Sequence, residues 1–571
     1  MKTLSFFLGL TLSFGIFAQQ PPQSEPSDTK KLGSLEGRVV NSKTGEPVRR
    51  VNLTLRPIGG PGVSGTIGGP MAAAAPYAGA TDAEGKFRIE KVDPGSYQLM
   101  AQRQGFVQQM YGAGQSSMMG ITLKVAAGQE LRELNFKLIP QAVITGRVVD
   151  EEGEPLARVQ IQVLRRRFMQ GKSQLMPFGG GQTSDTGEFR VSELAPGKYW
   201  VSAIYRSRMM MFGEAPARNT GDKPEEDYVT TYYPGSIDQA ASRPIELEAG
   251  QELPGIDIRL QKARVFRIRG KVVGSAQALR NLRLMVIPRE RGPMMGFFGG
   301  PGAAVKEDGA FEIGSVQAGS YYVTAMPQGP QSSMGKVAVD VTRDNVENVI
   351  LTLGGGVTMT GSIRLDGDVQ QLEQAQGKKF TFGNLRVQLT PMEGMPFNAP
   401  NGSPKEDGSF VLENVGPDKY RISVFGLPPG TWLKSIRAGD QEVLDTGIDA
   451  SGGVAGAVQI TLGTGVGQIG GIVRDAKQQP VSGGIVTLLP DPLKEERNDL
   501  YRTTTSDQTG QFTMQNIAPG DYKLYAWGDI EPGSYMDPEL LKLNESKAEK
   551  VTIKANSQQN VTLTQIPADA R

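Results

Sequence analysis

The chain has 571 residues, with 61 Lys+Arg against 60 Asp+Glu, and it contains neither Cys nor His. The balanced charge gives no electrostatic reason to expect nucleic acid or an anionic membrane surface as a partner. The two missing residue types exclude disulfides, thiolate nucleophiles, Cys-based zinc sites, and Ser-His-Asp, Cys-His or HExxH chemistry.

Residues 1–18, "MKTLSFFLGLTLSFGIFA", combine a basic Lys2, a short apolar run over 4–17 and a small Ala18. This pattern predicts a secretory signal peptide. The run falls short of the ~20 residues that a membrane span needs. Residues 19–31 are polar and contain prolines, and predict a flexible leader. The mature chain is therefore expected outside the cytoplasm (periplasm, cell surface or extracellular space) and without a membrane span.

The rest of the chain reads as five copies of one pattern, over 32–140, 141–262, 263–353, 354–462 and 463–571. Copies three and four are divergent. Each copy opens on a β-branched strand: "LEGRVVN", "ITGRVVD", "IRGKVVG", "MTGSIRLDG" and "IGGIVRD". A second apolar strand follows: "VNLTLRP", "VQIQVLR", "LRLMVIP", "LRVQLTP" and "GIVTLLP". Next comes a phrase typified by "SDTGEFRVSELAPGKYW", with a Gly, a Phe two residues on and a Tyr ten beyond that. These residues are Gly85, Phe87 and Tyr97; Gly187, Phe189 and Tyr199; Gly309, Phe311 and Tyr321; Gly408, Phe410 and Tyr420; and Gly510, Phe512 and Tyr522. A closing strand ends each copy, as in "LNFKLIP" or "VTLTQIP".

The physical reading of the phrase is structural. A polar residue before Gly makes a tight turn in which Gly takes a positive φ. The Phe points inward from an alternating strand. A second turn, "APG" or "DPG", precedes the Tyr, whose hydroxyl is placed to tie the connection back to backbone, as in a tyrosine corner. The expected class is all-β: about five tandem antiparallel Greek-key β-sandwiches after a signal peptide. Helical periodicity is confined to "DPELLKL" at 537–543.

The pattern G-x-V, G-x-P-V, T-D-x-x-G-x-F and L-x-P-G-x-Y resembles the carboxypeptidase regulatory-like domain. The resemblance spans nearly all of 32–567 and is strongest in copies one, two and five. It implies a transthyretin-like (prealbumin-like) sandwich, also grouped with carbohydrate-binding-like folds. It does not imply peptidase activity, because that family's zinc domain has no counterpart here. The arrangement resembles exported bacterial proteins that carry such modules in tandem.

Candidate sites follow from what the copies do not share. Tyr232, Tyr233, Trp432, Trp527 and Tyr535 are placed in loops or near strand ends, with Asp529, Glu531 and Asp537 beside the last two. Aromatic rings with nearby carboxylates suit sugar recognition. The alternative role for these rings is core packing. The acids of the phrase, Asp82, Asp185, Asp308, Asp407 and Asp507, read as turn caps rather than calcium ligands. Gly-, Pro- and Met-rich insertions, such as "RRRFMQGKSQLMPFGGGQT" and "RERGPMMGFFGGPGAA", read as irregular loops able to contact protein. The expectation is a non-enzymatic binding or scaffold protein without cofactor or metal. Its ligand class is carbohydrate or another cell-envelope component. A protein partner engaged through the Met/Gly loops is the alternative, and a carboxylate-pair hydrolase is the remote one.

Overall fold

The computed structural model describes residues 31–58, 77–114, 119–169, 172–205, 225–279, 282–289, 302–326, 335–354, 356–377, 379–392, 399–453 and 456–568. The signal peptide and most of the Met/Gly-rich insertions of copies one, three and four lie outside the described residues.

The first sandwich sets the pattern. Gly33–Asn41 pairs antiparallel with Lys86–Val92 on one side and parallel with Glu130–Leu138 on the other. The opposing sheet places Asn52–Pro57 between Tyr77–Ala80 and Gly95–Gln102. Alternate residues of both sheets, including Leu35, Val39, Leu53, Phe87, Tyr97 and Phe136, fill the space between them. Four further clusters of this kind follow along the chain. The tandem sandwiches are packed by these cores.

The sheets are mixed rather than wholly antiparallel. Every opening strand runs parallel to its closing strand. Two strands that run in the same direction need a long crossover. Here the opposing sheet lies within that connection. The parallel neighbour also approaches closely at one glycine per unit. A Cβ on Gly37, Gly146, Gly270, Gly361 or Gly471 would lie 2.1, 2.1, 1.9, 2.5 or 2.2 Å from a closing-strand carbonyl oxygen. The Gly of "G-x-V" is thus a close-approach residue.

The phrase forms a turn, a strand and a second turn in all five units. Gly85, Gly187, Gly309, Gly408 and Gly510 have φ of 73°, 76°, 85°, 80° and 80°. The five Phe are buried. A further feature has little signal in the sequence. Lys91, Glu193, Ser315, Asn414 and Asn516 all adopt left-handed φ, between 55° and 64°. Each sits where the register with the opening strand shifts. The resulting bulge lets the next aliphatic residue, such as Val92 or Ile517, point into the core. Only two of the five are Asn, the residue type that would have signalled it.

Three differences from the expected elements have local causes. The insertion of copy two is not an irregular loop: Gln160–Met169 and Lys172–Gln182 form a long antiparallel hairpin. Its alternating Leu164 and Leu175 find a partner in Trp200. Helices occur beyond the expected Pro538–Leu543, which Asp537 caps at its N-terminus. Val369–Gln376 is helical and buries Leu372, and a four-residue helix spans Ala276–Leu279. In the fourth sandwich Thr431–Ala438 adds an antiparallel strand outside Val458–Thr464.

Candidate functional site

The five aromatics expected to bind ligand do not converge. Tyr232 is 1 % exposed and packs with Leu164, Leu175 and Trp200. Trp527 is 3 % exposed, stacks on Tyr525 and donates from Nε1 to Thr487 Oγ1 at 3.0 Å. Burial on this scale makes both rings packing residues: alternation puts each on the outer face of its sheet, Tyr232 among Leu164, Leu175 and Trp200, and Trp527 with Tyr525 under Ile530 and Leu541. Tyr233 is half-buried against the second core, and Tyr535 is half-buried beside Trp527. Trp432 is half-buried on the added strand, donating to Thr464 O at 3.4 Å.

Two of the three carboxylates near Trp527 are drawn into junctions and the third caps a helix. Asp529 lies against Gly114 of the first sandwich, where a Cβ would meet Oδ1 at 2.4 Å. Glu531 faces Arg165 of the second sandwich at 3.6 Å. Asp537 accepts from Glu539 N at 3.0 Å as a helix cap. The segment that best resembled a sugar platform in the sequence is therefore a contact surface between sandwiches.

Those junctions close the array. The fifth sandwich touches the first through Lys124 Nζ to Asp507 Oδ2 at 2.8 Å and Thr505 Oγ1 to Gly120 O at 2.8 Å. It meets the fourth through Gly430 N to Asn516 Oδ1 at 2.8 Å. Arg497 also bonds Leu433 O and Asp445 there, both at 3.2 Å. Burial and then Asp499 and Asp445 act on Arg497; the acids prevail and raise its pKa. Sequence patterns inside each copy give no signal for contacts between copies.

The turn acids have local work. Asp82 accepts from Glu84 N and Lys86 N, and Asp507 from Thr509 N and Gln511 N. In the second unit Ser184 takes this part, accepting from Glu188 N at 3.2 Å. Among the described residues no group of three or more acidic side chains is arranged to hold a metal ion.

What the sandwiches do share on their surface is a shallow groove. It lies over the close-approach glycine and the neighbouring Phe in the first, second and fifth units. Charged groups such as Arg38, Arg88, Arg147 and Arg190 rim it in the first two units. Gln511, Thr513, Asn560 and Thr562 rim it in the fifth. These groups donate and accept hydrogen bonds but supply no thiolate and no imidazole.

Fold and surface define a protein of tandem β-sandwich domains. Residues 34–138 match the family model of the carboxypeptidase regulatory-like domain. Residues 478–561 match the model described as polysaccharide lyase family 4, domain II. Serine-aspartate repeat-containing protein D of Staphylococcus aureus (strain Newman) is 27 % identical over 134 residues, which is 21 % of this chain and 10 % of that protein. The chain thus spans about a tenth of the length of the curated relatives it matches. Among solved structures, the minor pilin GBS52 of Streptococcus agalactiae covers 40 % of this chain and 96 % of its own, at 14 % identity and a TM-score of 0.22. Two B repeat units of the collagen binding protein of Staphylococcus aureus cover 76 % and 99 %, at 10 % identity and a TM-score of 0.14. Among the described residues no helix is long and apolar enough to cross a membrane.

Proposed function

We propose that this is a non-enzymatic, exported scaffold protein of five β-sandwiches, at 32–140, 141–262, 263–353, 354–462 and 463–571, which binds carbohydrate or another cell-envelope component. The observation that carries this reading is the same shallow groove, with a polar rim, at the same place in the first, second and fifth sandwiches. A shallow groove rimmed by amides, hydroxyls and guanidinium groups suits a hydroxyl-rich chain, and a single such groove binds it weakly. The junctions of the fifth sandwich with the first, second and fourth hold the grooves in fixed relation. A polymer that reaches more than one groove then gains through effective concentration. The polysaccharide-lyase description of the family model over 478–561 favours a glycan over a protein ligand.

A glycan array probed with the mature chain tests this. We expect polymeric glycans to be retained and short oligosaccharides to bind weakly. Replacing Arg88, Arg190 and Asn560 together by alanine lowers polymer retention by more than about tenfold, while each single change lowers it less. Absence of binding to every glycan, or retention unchanged in the triple variant, rejects the reading.

A further inference from the structure

Arg165, Arg166 and Arg167 are consecutive on the strand Gln160–Met169. Alternation sends Arg166 to one face and Arg165 with Arg167 to the other. Arg166 stacks on Trp200, with its guanidinium carbon 4.9 Å from the ring centroid. On the other face the Arg165 guanidinium carbon is 5.8 Å from the centroids of both Phe178 and Tyr199.

Arg165 is only 8 % exposed. Its acidic neighbour, Glu531 of the fifth sandwich, stands 3.6 Å away, which is beyond hydrogen-bond range. A guanidinium carries five N–H donors. Arg165 makes no hydrogen bond to another described residue. Arg167 is half-buried on the same face. Burial, and then the Arg165 charge, hold its pKa below the ordinary arginine range. Among the described residues, two guanidinium groups thus share one carboxylate, Glu531, leaving one positive charge without an acidic partner in a partly buried cleft. Ring faces offset part of that cost, but a buried cation is stable only when paired and hydrogen-bonded.

The cleft is walled on its far side by the fifth sandwich. Gly533 presses on the hairpin so closely that a Cβ there would lie 2.3 Å from Phe168 O. We propose that one oxyanion, a sulfate or the carboxylate of an acidic sugar, binds in this cleft between Arg165 and Arg167 and completes the charge balance between the second and fifth sandwiches. Planar guanidinium donors match the paired oxygens of such groups. The site is separate from the shared grooves and stands whether or not those bind glycan.

Isothermal titration of the mature chain, in chloride buffer of matched ionic strength, tests it with three probes: sodium sulfate, free glucuronate and a glucuronate-containing oligosaccharide. At least one probe is expected to saturate at one per chain. Arg167→Ala weakens binding about tenfold or more, Arg167→Lys retains part of the affinity, and Arg166→Ala leaves it unchanged. Tighter binding of the oligosaccharide than of glucuronate or sulfate assigns the anion to a glycan, whereas equal binding assigns it to a free anion. Failure of all three probes, or equal loss in Arg166→Ala and Arg167→Ala, overturns the site.

Discussion

Lys124 of the first sandwich and Asp507 of the last form an ion pair of 2.8 Å, although most of the chain separates them in sequence. The Asp507 side chain is 3 % exposed and the Lys124 side chain 50 %. Gln508 reinforces the pair by accepting from Lys124 N at 3.4 Å and donating to Lys124 O at 3.2 Å. Asp507 also caps its own turn. One carboxylate thus serves both the repeated phrase and the closure of the array.

Acid should loosen that closure. Burial alone would raise the Asp507 pKa, but bonds from Lys124, Thr509 and Gln511 outweigh it and hold the carboxyl below its ordinary value. An unfolded Asp titrates near about 3.9. The stabilisation is therefore fully present above that pH and is lost as pH falls through the depressed folded value. Asp507→Asn keeps the Oδ1 turn cap but removes the charge, at a cost of about 1 kcal/mol given the exposed lysine. A Gly114→Cys, Asp529→Cys pair in this cysteine-free chain reports the contact between the first and fifth sandwiches while leaving the ion pair in place. We expect efficient crosslinking at neutral pH and less in the presence of Asp507→Asn; unchanged yield refutes the closure.

Loss of the fifth core should spread. Phe512 is buried against Gly471, where a Cβ would meet its ring at 2.8 Å. Phe512→Ala is expected to cost ~3–5 kcal/mol. The fifth sandwich holds the first and fourth, so protease cutting should rise near 119–124 and 430–433 as well as within 463–571. Cutting confined to the last sandwich would mean that the units are energetically independent.

Two glycines of the second sandwich should differ sharply in their tolerance of alanine. A Cβ on Gly146 would meet Ile256 O at 2.1 Å and the Phe189 ring at 2.9 Å. Neither a backbone carbonyl nor a packed ring moves cheaply, so Gly146→Ala should cost about 3 kcal/mol or more. A Cβ on Gly179 meets nothing nearer than Leu194 Cδ2 at 3.6 Å. Gly179→Ala should change stability by no more than about 0.5 kcal/mol. Calorimetry of the two variants checks the contrast.

The corner tyrosines should titrate late. Tyr522 donates to Ala518 O at 2.9 Å, and Tyr97, Tyr199 and Tyr321 make the equivalent bond to the residue four before them. Burial above all pushes Tyr420 and Tyr522 up to about 12. Unfolded tyrosine ionises near about pH 10. Their contribution to stability is therefore complete below about pH 10 and is lost as pH rises towards about 12. An ultraviolet titration should show a late tyrosinate step in the native chain that moves to about pH 10 in denaturant. Tyr522→Phe should remove part of that step and cost ~1–3 kcal/mol by leaving a buried carbonyl unpaired.

The repeated phrase was legible because its causes are local. Gly187 turns the chain, Phe189 alternates inward and Tyr199 reaches a carbonyl four residues back, all within one short stretch. The left-handed Lys91, Glu193 and Ser315 were not legible, because packing of the next residue imposes that conformation on side chains that do not favour it. Tyr232 and Trp527 resemble candidate platforms in the sequence because a strand end and a packed position look alike in one dimension. Which it is depends on the neighbouring hairpin strands of the same sheet and on Thr487.

The sequence by itself determined the strand pattern, the five-fold repetition and the absence of imidazole and thiol chemistry, since alternation, turn residues and composition act within a few residues or need no structure at all. Only the tertiary structure decided that Asp507 meets Lys124, that Glu531 faces Arg165, and that the 529–537 segment is a junction rather than an open platform. Such contacts join residues hundreds of positions apart. Their energy comes from shape and charge matching between finished sandwiches, which no local pattern encodes.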